Sequence, residues 1–456
     1  MSTKFVIVGG VAAGASAATR ARRLDEEAEI VVFEKSGHVS FANCGLPYHI
    51  GNIIENRNDL ILVTPQRFEE RFNIDVRVKH EVLQVDRAGK RVRVKNHKTG
   101  EEFWETYDKL LLSPGAAPFV PPIEGVDSEN VFVLRNIEDM DAIRKYINAN
   151  DVRRVAVIGA GFIGLEVAES LKHRGIDVDV VEMMDQVLPP LDEDMAHMVG
   201  AHLKQKGVKL TLDDGLGGFE LGGGKVTCVV TQSGKKIPTG LVLLSIGVRP
   251  NSELAKAAGL ELDARGAIKV NERLQTSDPD IYAAGDAIET VCAITAQPMT
   301  VPLAGPASKH GRLAGQLAVT GTGSAAAKVA GTAIVKVFDL TVATTGMNSK
   351  TAEGRGIDSA HVIARRPHHV AYYPGAELMF IKLVFSPQTG KVLGAQIVGG
   401  AGVDRRIDII ATVIHFGGTI DDLAQLDLAY SPQYGAAKDP VHIAAMIAQN
   451  QRDGLL

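Results

Sequence analysis

The chain has 456 residues, too many for one compact core, because single cores stop growing at about 250–300 residues, so three domains are expected. With 45% apolar and 23% charged residues and a net charge of −5, it has the composition of an ordinary folded protein and lacks the basic surface that nucleic-acid binding demands. No apolar run approaches the roughly 18 residues of a membrane helix, and the opening MSTKFVIVGG passes directly into a strand-like run without the parts of a secretion signal, so a cytoplasmic protein with no membrane partner is expected.

The first element is Phe5 to Val8, an unbroken apolar run of the kind buried on both faces in a parallel sheet. Gly9 and Gly14 follow, then an Ala- and Arg-rich helix, then the strand EIVVF, which closes on Glu34 and Lys35. This is a βαβ unit: the glycines allow a tight turn, the helix N-terminus offers N–H groups to a pyrophosphate, and the acid suits a ribose 2′-OH. Val11 stands where the middle glycine of such a turn would be.

The next segment, SFANCGLPYHIG from Ser40 to Gly51, carries one of only three cysteines, Cys44, Cys228 and Cys292. No two are spaced as a C-x-x-C pair, which argues against a disulfide framework or a zinc site. Cys44 has no second thiol four residues away, so any redox chemistry it carries would pass through a mixed disulfide, a persulfide or a sulfenic acid.

A second βαβ unit begins at Val155, with the complete fingerprint Gly159, Gly161 and Gly164, the strand DVDVV and the acid Glu182. The Glu182 charge would repel a 2′-phosphate, and Met183 and Met184 follow instead of arginines, so NADH is expected, with NADPH as the alternative. Two such units imply two nucleotides. GLGGFELGGGK (Gly215 to Lys225) reads as a hairpin inside the second unit, and a boundary is expected near GTGSAAAKVAG (Gly321 to Gly331). LMFIKLVF and VLGAQIVG then read as alternating antiparallel strands, followed by a helical IDIIATVIHF, giving a last α+β domain.

Three further motifs carry a family resemblance. TSDPDIYAAGDA (Thr276 to Ala287) resembles the second FAD motif of two-dinucleotide-domain flavoproteins, and SPGAAP (Ser113 to Pro118) and SIGVRPN (Ser245 to Asn251) resemble their crossings between nucleotide domains. S-F-x-N-C-G-L-P-Y is very similar to the motif of coenzyme A-disulfide reductases and their persulfide-reductase relatives, within the pyridine nucleotide-disulfide reductases. The resemblance implies an α/β chain with an FAD-binding domain at 1–116 and 248–322, an NAD(P)H-binding domain at 117–247 and a C-terminal α+β dimerisation domain at 330–456.

It also implies roles. FAD would be held by Gly9, Gly14, Glu34, Lys35, Ser113 and Gly115, with Asp286 on the ribityl chain and Ala304 beyond it. NADH would be held by Gly159, Gly161, Gly164, Glu182 and Gly247, with Glu166 near the nicotinamide. Arg20, Arg23, Ser40 and Asn43 would meet coenzyme A, as substrate or mixed-disulfide partner, and Arg22 belongs to the same charge run. Tyr372, Tyr373 and Tyr430 resemble the tyrosines that reach the cysteine of the partner subunit, which implies a homodimer with shared active sites. Related NADH peroxidases and oxidases carry a histidine in the first glycine loop where this chain has Ala12. The expected reaction is reduction of a small thiol-disulfide substrate. Persulfide or polysulfide reduction, NADH oxidation, and an electron-transfer flavoprotein that docks a redox protein are the alternatives.

Overall fold

The computed structural model describes residues 2–455. The strand Lys4–Val8 sits at the centre of a five-stranded parallel sheet, in the order Ile281–Ala283, Lys109–Leu112, Lys4–Val8, Glu29–Glu34, Asp75–Val78. Phe5, Val6 and Ile7 are fully buried, because helices cover the sheet and no face is left for water. The helix Ala12–Leu24 packs so tightly on the helix Ala304–Thr320 that a Cβ on Gly311 would lie 2.0 Å from Ala13 O, and one on Gly315 would lie 2.3 Å from Ala17 O. The two helices run alongside each other from Gly311 against Ala13 to Gly315 against Ala17, and the later helix starts at Ala304.

The chain leaves this fold through Ala116–Pro118 and returns through Val248–Pro250, and the two crossings pair as antiparallel strands. Between them lies a second parallel sheet in the order Lys209–Thr211, Asp177–Val181, Arg154–Ile158, Leu241–Leu244, Val131–Phe132. Leu216–Gly222 and Lys225–Thr231 form the expected hairpin.

The last part is an antiparallel five-stranded sheet in the order Ala333–Val337, Leu340–Gly346, Val392–Gly399, Leu378–Phe385, Ala360–Pro367. The expected alternation fails in its central strand: all eight residues of Val392–Gly399 are buried. The helix Val403–His415 covers one face, and the helix Glu193–Gln205 of the second fold packs on the other. That seam is polar. Asp192 Oδ2 lies 3.0 Å from Lys382 Nζ and accepts from Gln396 Nε2 at 2.7 Å, while the Ser349 and Lys350 N–H groups donate to the same carboxylate. Glu169 of the second fold likewise accepts from the Phe338 N–H at 2.8 Å. Among the described residues, no helix is long and apolar enough to cross a membrane.

Candidate active site

The two glycine turns are built alike at their first and last glycines and at their acids. Gly9 has φ +92°, and a Cβ there would lie 2.2 Å from Ser113 O; Gly159 has φ +102°, and a Cβ would lie 2.4 Å from Ser245 O. Only glycine fits such a backbone at such a distance. Ser113 Oγ donates to Gly9 O at 3.0 Å and Ser245 Oγ to Gly159 O at 3.0 Å. Each acid then faces its own turn: the Gly10 N–H donates to Glu34 Oε2 at 2.9 Å and the Ala160 N–H to Glu182 Oε2 at 2.7 Å. Gly14 and Gly164 close on the carbonyls of Gly9 and Gly159, where a Cβ would clash at 1.8 and 2.1 Å. Gly161 differs, since a Cβ there would meet no protein atom within 4 Å. Gly247, on the return crossing, is exposed, and its carbonyl accepts from the Phe119 N–H at 2.9 Å.

The Cys44 segment is fastened to the first turn. The Ser40 N–H donates to Gly10 O at 2.9 Å, and Ala42 and Leu62 exchange backbone bonds across it with Leu60 and Ser40. Ser40 has φ +46°, a left-handed conformation that bends the chain there. Cys44 follows in the 3₁₀ turn Asn43–Gly45, ahead of the short helix Leu46–Ile50. The residue is open to solvent. Its thiol is nonetheless pushed above the ordinary pKa, by burial first and then by the carboxylates of Glu166 and Asp286. Glu166 comes from the second fold and Asp286 from the turn Gly285–Ala287 of the first, so the cysteine stands near the junction of the two folds.

Tyr48 donates to Glu166 Oε1 at 3.0 Å. Burial pushes the hydroxyl well above its usual range and raises the Glu166 carboxyl as well, with the Tyr48 hydrogen bond opposing the second shift. Asp286 is also raised by burial, while Arg135 opposes that shift.

Arg135 escaped the sequence reading. It lies in VFVLRNIEDMD, a stretch with no motif of its own, yet its backbone carbonyl accepts from Asn43 Nδ2 at 3.1 Å and its guanidinium reaches Pro114 O at 3.3 Å. A Cβ on Gly115 would come within 2.8 Å of that guanidinium. Burial pushes it below its usual range, while the charges of Asp286, Glu34 and Asp139 pull it back up. A half-buried cation whose guanidinium bonds only to a carbonyl, beside the first crossing and within reach of the charges of Asp286, Glu34 and Asp139, fits a diphosphate-bearing cofactor.

Other predicted residues sit elsewhere. Lys35 is exposed and pairs with Glu81 at 2.8 Å. Arg20 Nη2 donates to Gln316 Oε1 at 2.7 Å, with its Nε buried and unpartnered, and Arg23 is exposed. Arg22 is structural: its guanidinium donates to the carbonyls of Phe72, Asp25, Glu26, Ala28 and Asn73. The cleft beside Ser40, about 350 Å³, takes its cations from Arg67 and Arg71, which the sequence reading did not single out, together with the hydroxyls of Ser16 and Thr19.

The tyrosines cluster on the surface of the C-terminal sheet domain. Tyr372 is 76% exposed and its hydroxyl lies 3.2 Å from that of Tyr430, while Tyr373 packs edge-on against His369. Buried Arg406 donates to His368 O at 2.7 Å and pairs with Asp439 Oδ2 at 2.8 Å, which holds the two tyrosine segments together.

A family model described as pyridine nucleotide-disulphide oxidoreductase matches residues 3–311, and one described as the dimerisation domain of the same group matches residues 332–439. An NADH oxidase of Methanocaldococcus jannaschii is 39% identical over 443 residues, 97% of this chain and 98% of that protein. The coenzyme A disulfide reductase of Staphylococcus haemolyticus is 36% identical over 450 residues, 99% of each. The crystal structure of reduced Bacillus anthracis CoADR-RHD superimposes with a TM-score of 0.97 at 47% identity, covering 100% of this chain and 81% of that one. Paired glycine turns with crossed connections, a lone cysteine between them and full-length likeness to these enzymes place the chain in the pyridine nucleotide-disulphide oxidoreductase family.

Proposed function

We propose that this enzyme reduces coenzyme A disulfide with NADH, through FAD and the single redox cysteine Cys44. One observation carries the reading: a lone exposed thiol feels the charge of one acid from each nucleotide fold, Glu166 and Asp286, with no second cysteine in its segment. FAD belongs to the fold of Gly9, with Arg135 on its phosphates, and NADH to the fold of Gly159, with Glu166 beside the nicotinamide. The FAD domain takes in residues 1–116 and 248–322, the NADH domain 117–247 and the dimerisation domain 330–456.

The cofactors supply the hydride chemistry, passing two electrons from nicotinamide through flavin to sulfur. The chain's own residues position and bind. The Cys44 thiolate attacks one sulfur of the disulfide, forming a mixed disulfide and expelling one coenzyme A thiolate, which takes a proton. Two electrons then break the mixed disulfide, releasing the second coenzyme A and regenerating Cys44. Arg67 and Arg71 line the cleft beside Ser40 and face the phosphates, and the hydroxyls of Ser16 and Thr19 offer further hydrogen bonds.

Within one chain the charges acting on Cys44 are carboxylates, which disfavour a thiolate. Donors from a second copy meet that need. Tyr372 and Tyr430 of the partner subunit supply hydroxyls, so the protein works as a homodimer in the cytoplasm, each site built from two chains.

Oxygen as the terminal acceptor is the competing reading, favoured by the NADH oxidase likeness. Mass spectrometry of the denatured, unreduced protein separates the two. Our reading expects an adduct of coenzyme A mass on Cys44, released by reductant. A Cys44 found only as thiol or sulfenic acid, even after incubation with coenzyme A disulfide, would contradict it.

A further inference from the structure

The helix Phe162–His173, which follows the second glycine turn, carries two acids three residues apart, and that spacing makes Glu166 and Glu169 neighbours on its surface. Glu166 reaches the Cys44 segment, accepting from the Tyr48 hydroxyl. Glu169 reaches the C-terminal domain. Its Oε2 accepts from the Phe338 N–H at 2.8 Å, its Oε1 lies 3.3 Å from Lys336 Nζ, and the residue is buried.

Phe338 stands at the tip of a hairpin. Val337 pairs with Leu340 across it, which leaves Phe338 and Asp339 as a two-residue turn, and Phe338 has φ +54°, a backbone that a bulky residue rarely adopts. Three residues of the second fold grip this turn: Glu169 takes the N–H, the His202 ring stands edge-on to the Phe338 ring with centroids 6.3 Å apart, and Lys206 pairs with Asp339. Strain of this kind persists only where the surroundings fix the conformation.

The charged groups around the two acids come from several elements. Tyr48 and Cys44 face Glu166 from the Cys44 segment, Lys336 faces Glu169 from the hairpin, and His202 feels Glu169 from the helix Glu193–Gln205. On the neighbouring strand Asp177–Val181, Asp177 lies 3.6 Å from Lys172 and Asp179 lies 3.8 Å from Arg154. Glu169 and Glu166 also act on each other directly, since the charge of the first disfavours ionisation of the second. We propose that Glu169 is a positioning residue for hydride transfer, clamping the helix after the second glycine turn onto the C-terminal hairpin so that Glu166 is held in place for the nicotinamide. The proposal rests on the reading of Glu166 given above, and it ties the NADH step to the C-terminal domain of the same chain.

The test follows flavin reduction by NADH, one hydride per bound flavin, by stopped flow across pH in the flavin-loaded enzyme. Glu169→Gln keeps an acceptor for the Phe338 N–H and loses the charge, whereas Glu169→Asp keeps the charge and draws it back by one methylene. At saturating NADH on the alkaline plateau, Glu169→Asp should fall about tenfold per bound flavin while Glu169→Gln stays within about twofold of wild type. The acid limb of Glu169→Gln should move to lower pH, because losing a like charge favours ionised Glu166. A merely structural Glu169 would change Tm and flavin content and move neither the limb nor the rate per flavin. A wild-type rate in Glu169→Asp, or an unmoved limb in Glu169→Gln, would overturn the proposal. An acid limb that persists in Glu166→Gln would overturn it too, and would locate the failure in the reading of Glu166.

Discussion

The hydroxyl of Tyr48 donates to Glu166 Oε1 at 3.0 Å, and this one bond ties the helix that follows Cys44 to the helix that follows the second glycine turn. It also favours the ionised form of Glu166. Burial raises the carboxyl above its ordinary pKa, Glu169 on the same helix adds to that, and the Tyr48 bond opposes both.

Removing the bond by Tyr48→Phe therefore raises the Glu166 pKa further. If ionised Glu166 serves the nicotinamide, the acid limb of NADH-driven flavin reduction moves to higher pH, since the bond favours the ionised carboxylate. The rate on the alkaline plateau stays close to wild type. Stopped-flow bleaching across pH measures the limb, and in a Glu166→Gln background the shift should vanish.

The glycines make a paired prediction. Gly159→Ala places a Cβ 2.4 Å from Ser245 O at a φ of +102° and should lower Tm. Gly161→Ala meets no protein atom within 4 Å and should leave Tm unchanged; under the proposed reading, in which that room takes the NADH pyrophosphate, it should raise the KM for NADH. Thermal melts with NADH titrations on both variants check this.

Asp192 links stability to pH. Burial alone would raise its carboxyl, but the Lys350 N–H, Lys382, Gln396 and the Ser349 N–H together hold it down at about 2, against an ordinary 3.8. A depressed carboxylate stabilises the fold fully above its unfolded pKa, and that stabilisation is lost as pH falls through the folded value. The seam between the second fold and the C-terminal sheet thus weakens from about pH 4 downward. The contribution is about 2 kcal/mol at neutral pH. Asp192→Ala should lower stability at pH 7, by about 3 kcal/mol once the loss of a buried partner for Lys382 is included, and the gap to wild type should narrow toward pH 2. Denaturant melts at several pH values measure it.

Both glycine turns were legible because each is local: an apolar run, glycines at fixed spacing and an acid within one βαβ unit. The Cys44 segment is local in the same way, one unbroken motif from Ser40 to Gly51. Arg135 was not legible, since its partners Asn43, Pro114 and Asp286 come from distant segments and its own neighbours carry no pattern. Arg67 and Arg71 lie on a short surface helix whose neighbourhood with Ser40 exists only after folding. Arg22 looked like one more surface cation beside Arg20 and Arg23, until five backbone carbonyls converged on it. In the last domain, VLGAQIVG lost its expected polar face because a helix of another fold covers it, which no period within the strand can announce.

Anaerobic titration of the flavin enzyme reaches the main claim directly. NADH should bleach the flavin in both the wild type and Cys44→Ser, after which coenzyme A disulfide should restore the oxidised spectrum within one turnover in the wild type and not in the variant. Reoxidation of the Cys44→Ser enzyme at the wild-type rate would contradict the account.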